Sequence, residues 1–326
     1  MTKISFISSN SSFTECVRTT ITQNLVHHSI SITSNAGCAS PSYEGCTFDD
    51  TNTKQNPLSS SASFAQCTFI KLTANVNGGA ISFTSDSPHT VRECFFRECS
   101  TGTHSNYQSG GGAVCSSAGS LSVFSSRFIQ CSSAGYGGAV LGTSSCTLTV
   151  LFESIVIGCS CNRCGGGAST HFSSVADVSS CRFISCQSTR YGGGYYHNNE
   201  AGLSVRVSNS LFLKNVAKLN DNNRGGGGFE DCRYSTYSSK HHFLFFRENT
   251  AATNKGNDLS ICNISLTAAD IIHCFTTTQT HSFWNKNKHQ DDWLPQANIN
   301  AKLTATISGY RYSPLHSRGN INTDYI

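Results

Sequence analysis

Apolar and polar residues alternate along short stretches of the chain. Ser120-Leu-Ser-Val-Phe124 and Leu203-Ser-Val-Arg-Val207 are two examples. A period of two residues is typical of β-strands that place one face against a core. No stretch sustains a helical period, and the frequent Gly and Ser residues would weaken a helix. The pattern therefore predicts an all-β chain of short strands.

A glycine pair returns along the chain at intervals of 33, 26, 29, 27 and 34 residues. The residue after the pair is Ala in the first four copies and an aromatic residue in the last two. We treat the pairs as equivalent positions of one repeat. They are Gly78 and Gly79, Gly111 and Gly112, Gly137 and Gly138, Gly166 and Gly167, Gly193 and Gly194, and Gly227 and Gly228.

A second mark, an apolar residue followed three positions later by Cys or Asn, lies about half a repeat after each glycine pair. In one copy Val156 replaces Phe. The copies are Phe96 with Cys99, Phe128 with Cys131, Val156 with Cys159, Phe183 with Cys186, Phe212 with Asn215, and Phe246 with Asn249. Units of this length, with short strands and variable turns, indicate the coils of a parallel β-helix. Helical repeats and propeller blades fit poorly, because the units lack helices and are too short for four strands.

Stacked coils place equivalent residues in columns about 4.8 Å apart. We expect the Phe residues to stack in the interior and Asn to form a ladder of side-chain amides at a corner. The glycines are expected at a corner that needs positive φ or close backbone approach. Cys at the Asn position is either a buried thiol or a disulfide partner from a neighbouring coil. Disulfides within one coil, Cys94 with Cys99 or Cys181 with Cys186, also remain open.

The paired motifs resemble a known family of repeats. Gly-Gly-Ala-Ile/Val, as at 78–81, 111–114 and 137–140, alternates with Phe-x-x-Asn, as at 212–215 and 246–249. This resembles the polymorphic outer-membrane protein repeats of chlamydial autotransporter adhesins and of protist surface proteins. The resemblance covers about residues 60–275. It implies a right-handed, single-stranded parallel β-helix of the pectin-lyase-like class, a cell-surface or extracellular location, and adhesion or display toward a protein or glycan ligand.

The repeats divide the chain into three predicted parts. Residues 1–60 are expected to form irregular N-terminal coils or a cap, 61–275 the β-helix repeats, and 276–326 a C-terminal cap or a partly disordered tail. The stretch MTKISFISSNSSF lacks the apolar core of a signal peptide, and no stretch is apolar enough for a membrane span. We expect either a cytosolic protein or an internal piece of a longer secreted chain.

Charge and composition narrow the function. Charged residues make up 13% of the chain, and the net charge of +4 comes without a basic run, so a nucleic-acid partner is not expected. The Asp residues of the repeats occupy different phases and do not pair as a hydrolase or lyase would require. They are Asp86, Asp177, Asp221, Asp231, Asp258 and Asp270. No catalytic residue and no cofactor are predicted.

One cluster of cysteines has a spacing that could bind metal. Cys161 and Cys164 follow Cys159 in Cys-Ser-Cys-Asn-Arg-Cys. A zinc site normally needs a second such pair, which the sequence lacks, so thiols or a Cys161–Cys164 disulfide are the favoured interpretation and no metal is predicted. The sequence predicts a non-enzymatic, adhesin-like β-helix whose ligand meets projecting loops or a flat sheet face. A carbohydrate-active β-helix enzyme or its degenerate relative, and a structural spacer of a longer chain, are the alternatives.

Overall fold

The computed structural model describes residues 19–24, 29–34, 42–49, 61–102, 109–171, 175–199, 205–218, 225–233, 239–252, 257–261, 271–272, 275–276 and 283–285. These residues form strands, turns and bends, with no helix among them. Three parallel sheets, joined by tight corners, build a β-solenoid in which each coil contributes strands to each sheet. The predicted all-β parallel β-helix is confirmed.

The sheets differ in strand length, and we name them accordingly. The Phe sheet has nine described strands: Thr47–Asp49, Thr68–Ile70, Phe95–Arg97, Arg127–Ile129, Ile155–Ile157, Arg182–Ile184, Leu211–Leu213, Phe245–Arg247 and Phe275–Thr276. The short sheet has seven: Thr73–Ala74, Ser100–Thr101, Ser132–Ser133, Ser160–Cys161, Gln187–Ser188, Val216–Ala217 and Thr250–Ala251.

The long sheet closes each coil and has fifteen described strands. They are Ser42–Glu44, Ala62–Ala65, Ile81–Phe83, Pro88–Arg92, Val114–Phe124, Val140–Phe152, Ala168–His171, Val175–Ser179, Tyr195–Asn199, Val205–Ser208, Phe229–Arg233, Ser239–His242, Leu259–Ile261, Ile271–Ile272 and Phe283–Asn285. A separate antiparallel hairpin pairs Thr19–Asn24 with Ser29–Ser34.

Stacked strands extend past both ends of the predicted repeat region. Ser42–Glu44 pairs with Ala62–Ala65, so the solenoid begins before residue 61. Phe283–Asn285 pairs with Leu259–Ile261 and continues the long sheet beyond residue 275. The unequal repeat lengths also predict long loop inserts at 100–109 and 218–224. Both lie largely outside the described residues, although Ser100–Thr101 is a strand of the short sheet.

All three corners in a coil contain a residue at positive φ, and at two of them this residue is usually not glycine. The first corner joins the long sheet to the Phe sheet and uses residues such as Glu93 (φ 54°) and Ser125 (φ 47°). The second corner joins the Phe sheet to the short sheet and uses Glu98 (φ 56°) and Gln130 (φ 53°). Non-glycine residues adopt this conformation at some cost. Hydrogen bonds between levels hold them there, as when Glu93 N donates to Phe124 O at 2.9 Å.

The middle residue of each Phe-sheet strand points inward, so the core sits between the three sheets. Its side chains are apolar and nearly all fully buried, with Phe96, Phe128, Phe183 and Phe212 at 0% exposure. The first and third residues of the same strands point outward. This alternation decides which residues the coil offers to solvent.

Candidate binding face

The predicted Phe column is present and continuous over most of its length. Rings stack between levels at centroid distances of 4.7 Å for Phe96 and Phe128 and 5.1 Å for Phe212 with Phe183 and with Phe246. Val156 occupies the column between Phe128 and Phe183. The column is a structural feature of the core, because its rings are buried from solvent.

Asn215 and Asn249 form the predicted amide ladder at the second corner. Asn215 Nδ2 donates to Asn249 Oδ1 at 3.0 Å and to Phe183 O at 2.9 Å. Asn215 Oδ1 accepts from Cys186 N at 2.9 Å, and Asn249 Oδ1 accepts from Asn215 N at 2.9 Å. Each amide thus joins its own level to both neighbours.

The four cysteines of the same column, Cys99, Cys131, Cys159 and Cys186, are buried free thiols. Their sulfurs lie within weak hydrogen-bond range of carbonyl oxygens, as in Cys186 Sγ to Val156 O at 3.5 Å. Burial raises the pKa of Cys186 to about 12 and that of Cys131 well above its ordinary value. Cys131 and Cys186 therefore stay protonated at neutral pH. Cys94 and Cys181 are also free.

The glycine alignment made from the letters alone is wrong by one residue in half of the repeats. Strand pairing sets Val140 beside Ala168, and Ala168 beside Tyr195. In this turn, the glycines with φ between 57° and 75° are Gly78, Gly111, Gly137, Gly165, Gly192 and Gly226. Gly166, Gly193 and Gly227 therefore match the second glycine of the earlier pairs, and Gly167, Gly194 and Gly228 match the Ala that follows them. The error arose because the later copies contain three or four consecutive glycines.

The second glycine of each turn is required by close backbone approach. A Cβ on Gly112 would overlap the carbonyl oxygens of Gly138 and Ser132 in the next coil. The same position is equally crowded at Gly79, Gly138, Gly166, Gly193 and Gly227. The expected glycine corner is therefore confirmed, with positive φ and close approach assigned to adjacent residues.

A second polar column, formed by Ser side chains at the first corner, was not predicted from the sequence. Ser126 Oγ accepts from Cys94 N at 3.1 Å, and Ser154 Oγ accepts from Ser126 N at 3.3 Å. Ser210 Oγ accepts from Cys181 N at 3.1 Å in the same way. A signal was present, since Cys or Ser stands two residues before the column Phe in most coils.

The three cysteines considered as metal ligands lie on different parts of the coil. Cys159 lies in the main core, whereas Cys164 packs outside the long sheet with Cys115, Leu141 and Tyr136. Cys161 is buried on the short sheet, and burial raises its pKa to about 12, which opposes the thiolate form that binds metal. Within the described ranges, no three Cys, His, Asp or Glu side chains converge as metal ligands.

Asp177 and Asp258, two of the acidic residues considered for catalysis, lie in different environments. Asp177 lies outward on the long sheet beside Arg206, whereas Asp258 is fully buried and accepts from Asn249 Nδ2 at 2.9 Å. Asp258 thus extends the hydrogen bonding of the amide ladder by one side chain. Asp221 and Asp270 lie outside the described residues.

Aromatic side chains also gather outside the long sheet, where turns fold over it. Tyr136 and His171 have ring centroids 4.3 Å apart, Tyr196 packs beside both, and Arg163 lies 5.7 Å from the centre of the Tyr136 ring. Burial, and secondarily the charge of Arg163, lowers the pKa of His171 to about 3. The rings are covered, so this cluster fastens turns to the sheet.

The most unusual exposed feature is the outward side of the Phe sheet, which we call the outer Phe face. It comprises the first and third residues of the seven strands from Thr68–Ile70 to Phe245–Arg247. Of these fourteen positions nine are apolar, four are Arg, one is Thr and none is acidic. The apolar members are Ile70, Phe95, Ile129, Ile155, Ile157, Ile184, Leu211, Leu213 and Phe245, and the arginines are Arg97, Arg127, Arg182 and Arg247.

This composition departs from the usual polar outer face of a half-buried sheet. The apolar members are half-buried against one another, and Arg97, Arg127 and Arg247 are exposed. Acidic side chains stand at the corners that flank the face. Glu98 pairs with Arg97 at 3.4 Å and Lys71 at 3.8 Å, and Glu248 pairs with Arg247 at 2.7 Å and Lys214 at 3.6 Å.

The centre of the outer Phe face is aliphatic and carries Arg127 and Arg182. Because strands stack in register, Ile129, Ile157 and Ile184 form one row along the solenoid axis. The arrangement is a flat, ordered surface that can bind a partner with both apolar and anionic character.

Comparison of the chain with protein-family models, with curated proteins and with solved structures gave no match. Among the residues described, no helix is long and apolar enough to cross a membrane.

Proposed function

We propose that this chain is a non-catalytic binding scaffold that attaches to a cell-surface ligand through the outer Phe face. The observation that carries the proposal is the composition of that face, with nine apolar residues, four arginines and no acid in fourteen outward positions. A contiguous, half-buried apolar surface of this kind marks an interaction site more often than an ordinary solvent face does.

The interior supports the same function. Phe stacking and the amide ladder fill the coil and fix the spacing of the outward residues. A rigid backbone lowers the entropy that binding would otherwise cost. The resemblance of the paired motifs to polymorphic outer-membrane protein repeats supports a role in adhesion and display at a surface.

A cell-binding titration with the purified, fluorescently labelled full chain tests the proposal. We expect saturable binding that weakens at least tenfold in the double variant Ile157→Thr/Ile184→Thr. Thr keeps the β-branched shape suited to a strand but removes apolar surface. Val150→Thr is the matched control, since Val150 is half-buried and points outward on the long sheet.

Circular dichroism must show that both variants keep the wild-type spectrum and unfolding midpoint within a small margin. The control should bind cells like the wild type. Absence of cell binding, or equal binding by the folded double variant, would refute the proposed function.

A further inference from the structure

We infer that the cell-surface component bound by the outer Phe face is the anionic phospholipid of the membrane itself. This inference rests on the proposed function and names the ligand of the same face. The face mixes aliphatic and aromatic side chains with arginines at neighbouring levels: Arg127 precedes Ile155, and Arg182 follows it in the same row. A bilayer interface offers the matching chemistry, with acyl chains beside phosphate groups.

The basic residues of the outer Phe face are of the type that binds phosphate well. All four basic residues on the outer Phe face are arginines, although the flanking corners use lysine at Lys71 and Lys214. A guanidinium is weakly hydrated and binds phosphate oxygens with two parallel hydrogen bonds, so it can sit among apolar side chains at a headgroup.

The charge balance favours an anionic surface. The face and its two corner columns, from residue 66 to residue 248, carry six basic and four acidic residues, a difference of two positive charges. The basic residues are Lys71, Arg97, Arg127, Arg182, Lys214 and Arg247, and the acids are Glu93, Glu98, Glu153 and Glu248. All four acids lie at the corners, where Glu98 pairs with Arg97 and Glu248 pairs with Arg247. Arg127 and Arg182 therefore provide the positive charge at the centre of the face.

The shape of the face favours a membrane over a second protein. Seven strands about 4.8 Å apart and three residues wide span about 29 Å by 10 Å, or about 300 Å². A stable protein partner usually covers about 800 Å² on each side. A lipid surface needs no such closed interface, because headgroups adapt singly to a flat row of side chains.

The apolar surface also continues around the first corner. Phe152 is the large apolar residue with the highest exposure among those described, at 37%, and it lies one residue before the corner that leads to Ile155. Phe124 contacts it edge-on, with centroids 6.4 Å apart. Both rings lie at the end of the long sheet, where it borders the outer Phe face.

Co-sedimentation of the full chain with vesicles tests the inference without any cellular protein or glycan. The vesicles contain phosphatidylcholine alone or with about 30% phosphatidylserine. We expect binding to the anionic vesicles only, and loss of that binding as NaCl rises from about 50 mM to about 500 mM. Arg127→Gln/Arg182→Gln should weaken binding about 25-fold, since each basic residue near an anionic surface contributes about fivefold.

The double variant Ile157→Thr/Ile184→Thr should weaken vesicle binding about tenfold. Arg206→Gln and Val150→Thr, on the outward side of the long sheet, should leave it unchanged. No binding to anionic vesicles, equal binding to neutral ones, or no effect of the face variants would overturn the inference. So would a dimer in sedimentation velocity that Ile157→Thr/Ile184→Thr abolishes, because the face would then belong to a second copy.

The two proposals can fail separately. Cell binding that depends on the face, together with no binding to protein-free vesicles, overturns the lipid ligand and leaves the binding scaffold standing. Face-independent cell binding overturns the scaffold proposal whatever the vesicles show.

Discussion

Replacing Asn215 with Ala tests how much the amide ladder stabilises the solenoid. The side chain is fully buried and makes three hydrogen bonds of 2.9–3.0 Å, to Cys186 N, Phe183 O and Asn249 Oδ1. The Ala variant loses all three and leaves the Cys186 amide facing a methyl group. The bonds to Phe183 O and Asn249 Oδ1 contribute about 1 kcal/mol each, and the orphaned Cys186 N–H costs about 1–3 kcal/mol. We expect the free energy of unfolding to fall by about 3–5 kcal/mol.

Asn215→Cys separates hydrogen bonding from packing. The neighbouring level carries Cys186 in the same column, so a thiol fits the space. Sulfur is a weak acceptor, and the Cys186 amide would still lose its strong partner. We expect this variant to lose about 2 kcal/mol, less than Ala. Asn162→Ala, at an exposed position, is the control and should change stability by less than about 0.5 kcal/mol.

Urea unfolding followed by far-UV circular dichroism measures these differences, with the slope of each transition compared. Stacked coils can unfold in stages, so a change in slope would require the midpoints of separate phases to be reported. A loss below about 1 kcal/mol for Asn215→Ala, or a Cys variant less stable than the Ala variant, would show that the ladder is not a main source of stability.

Three further perturbations follow from named contacts. His171 has a folded pKa of about 3, lowered by burial and then by Arg163, against 6.5 when unfolded; the unfolded chain therefore binds the proton first as pH falls. The contribution of neutral His171 to folding stability is complete above pH 6.5 and is lost as the pH falls toward 3. Urea titrations should therefore show that the free energy of unfolding falls by about 2 kcal/mol between about pH 7.5 and 5.0, and that His171→Phe lacks this fall. An equal pH dependence in the wild type and the variant would contradict the burial argument. Gly112→Ala should lower the urea midpoint of unfolding strongly, because its Cβ would overlap backbone carbonyl oxygens of the next coil. Gly102→Ala should not, because the atom nearest to its Cβ would be 3.6 Å away. Equal midpoints for the two variants would refute the register of the glycine turn. Cys131 is a fully buried thiol with a raised pKa, so it should resist maleimide labelling until urea unfolds the chain and should then react in full. Peptide mass spectrometry measures this labelling. Failure of Cys131 to react in the unfolded chain would indicate a disulfide.

The repeat could be recognised in the sequence because equivalent residues of every coil have the same environment. Phe96 stacks on Phe69 below it and on Phe128 above it, and the same requirement recurs at each level, so the column appears in the sequence as a period. The amide ladder was predictable for the same reason, since Asn215 and Asn249 serve one another. The Phe column and the amide ladder could thus be assigned without coordinates, whereas the Ser column at the first corner was not.

The register of the glycine turn could not be assigned from letters. Runs such as Gly165-Gly-Gly167 and Gly225-Gly-Gly-Gly228 contain more than one possible pair. Only the pairing of Ala168 with Val140 fixes which glycine turns the chain and which one touches the next coil. Local sequence does not contain that information, because the constraint is a contact between coils.

The sequence by itself determined the class of fold, the period and the residues of the core columns, since a solenoid repeats one local environment. Tertiary structure decided the direction of each side chain and the neighbours of each row. Ile129, Ile157 and Ile184 are about 28 residues apart in sequence but adjacent in the sheet. Stacking joins such scattered residues into the outer Phe face, and it is that adjacency between coils, absent from any single repeat, that makes a binding surface.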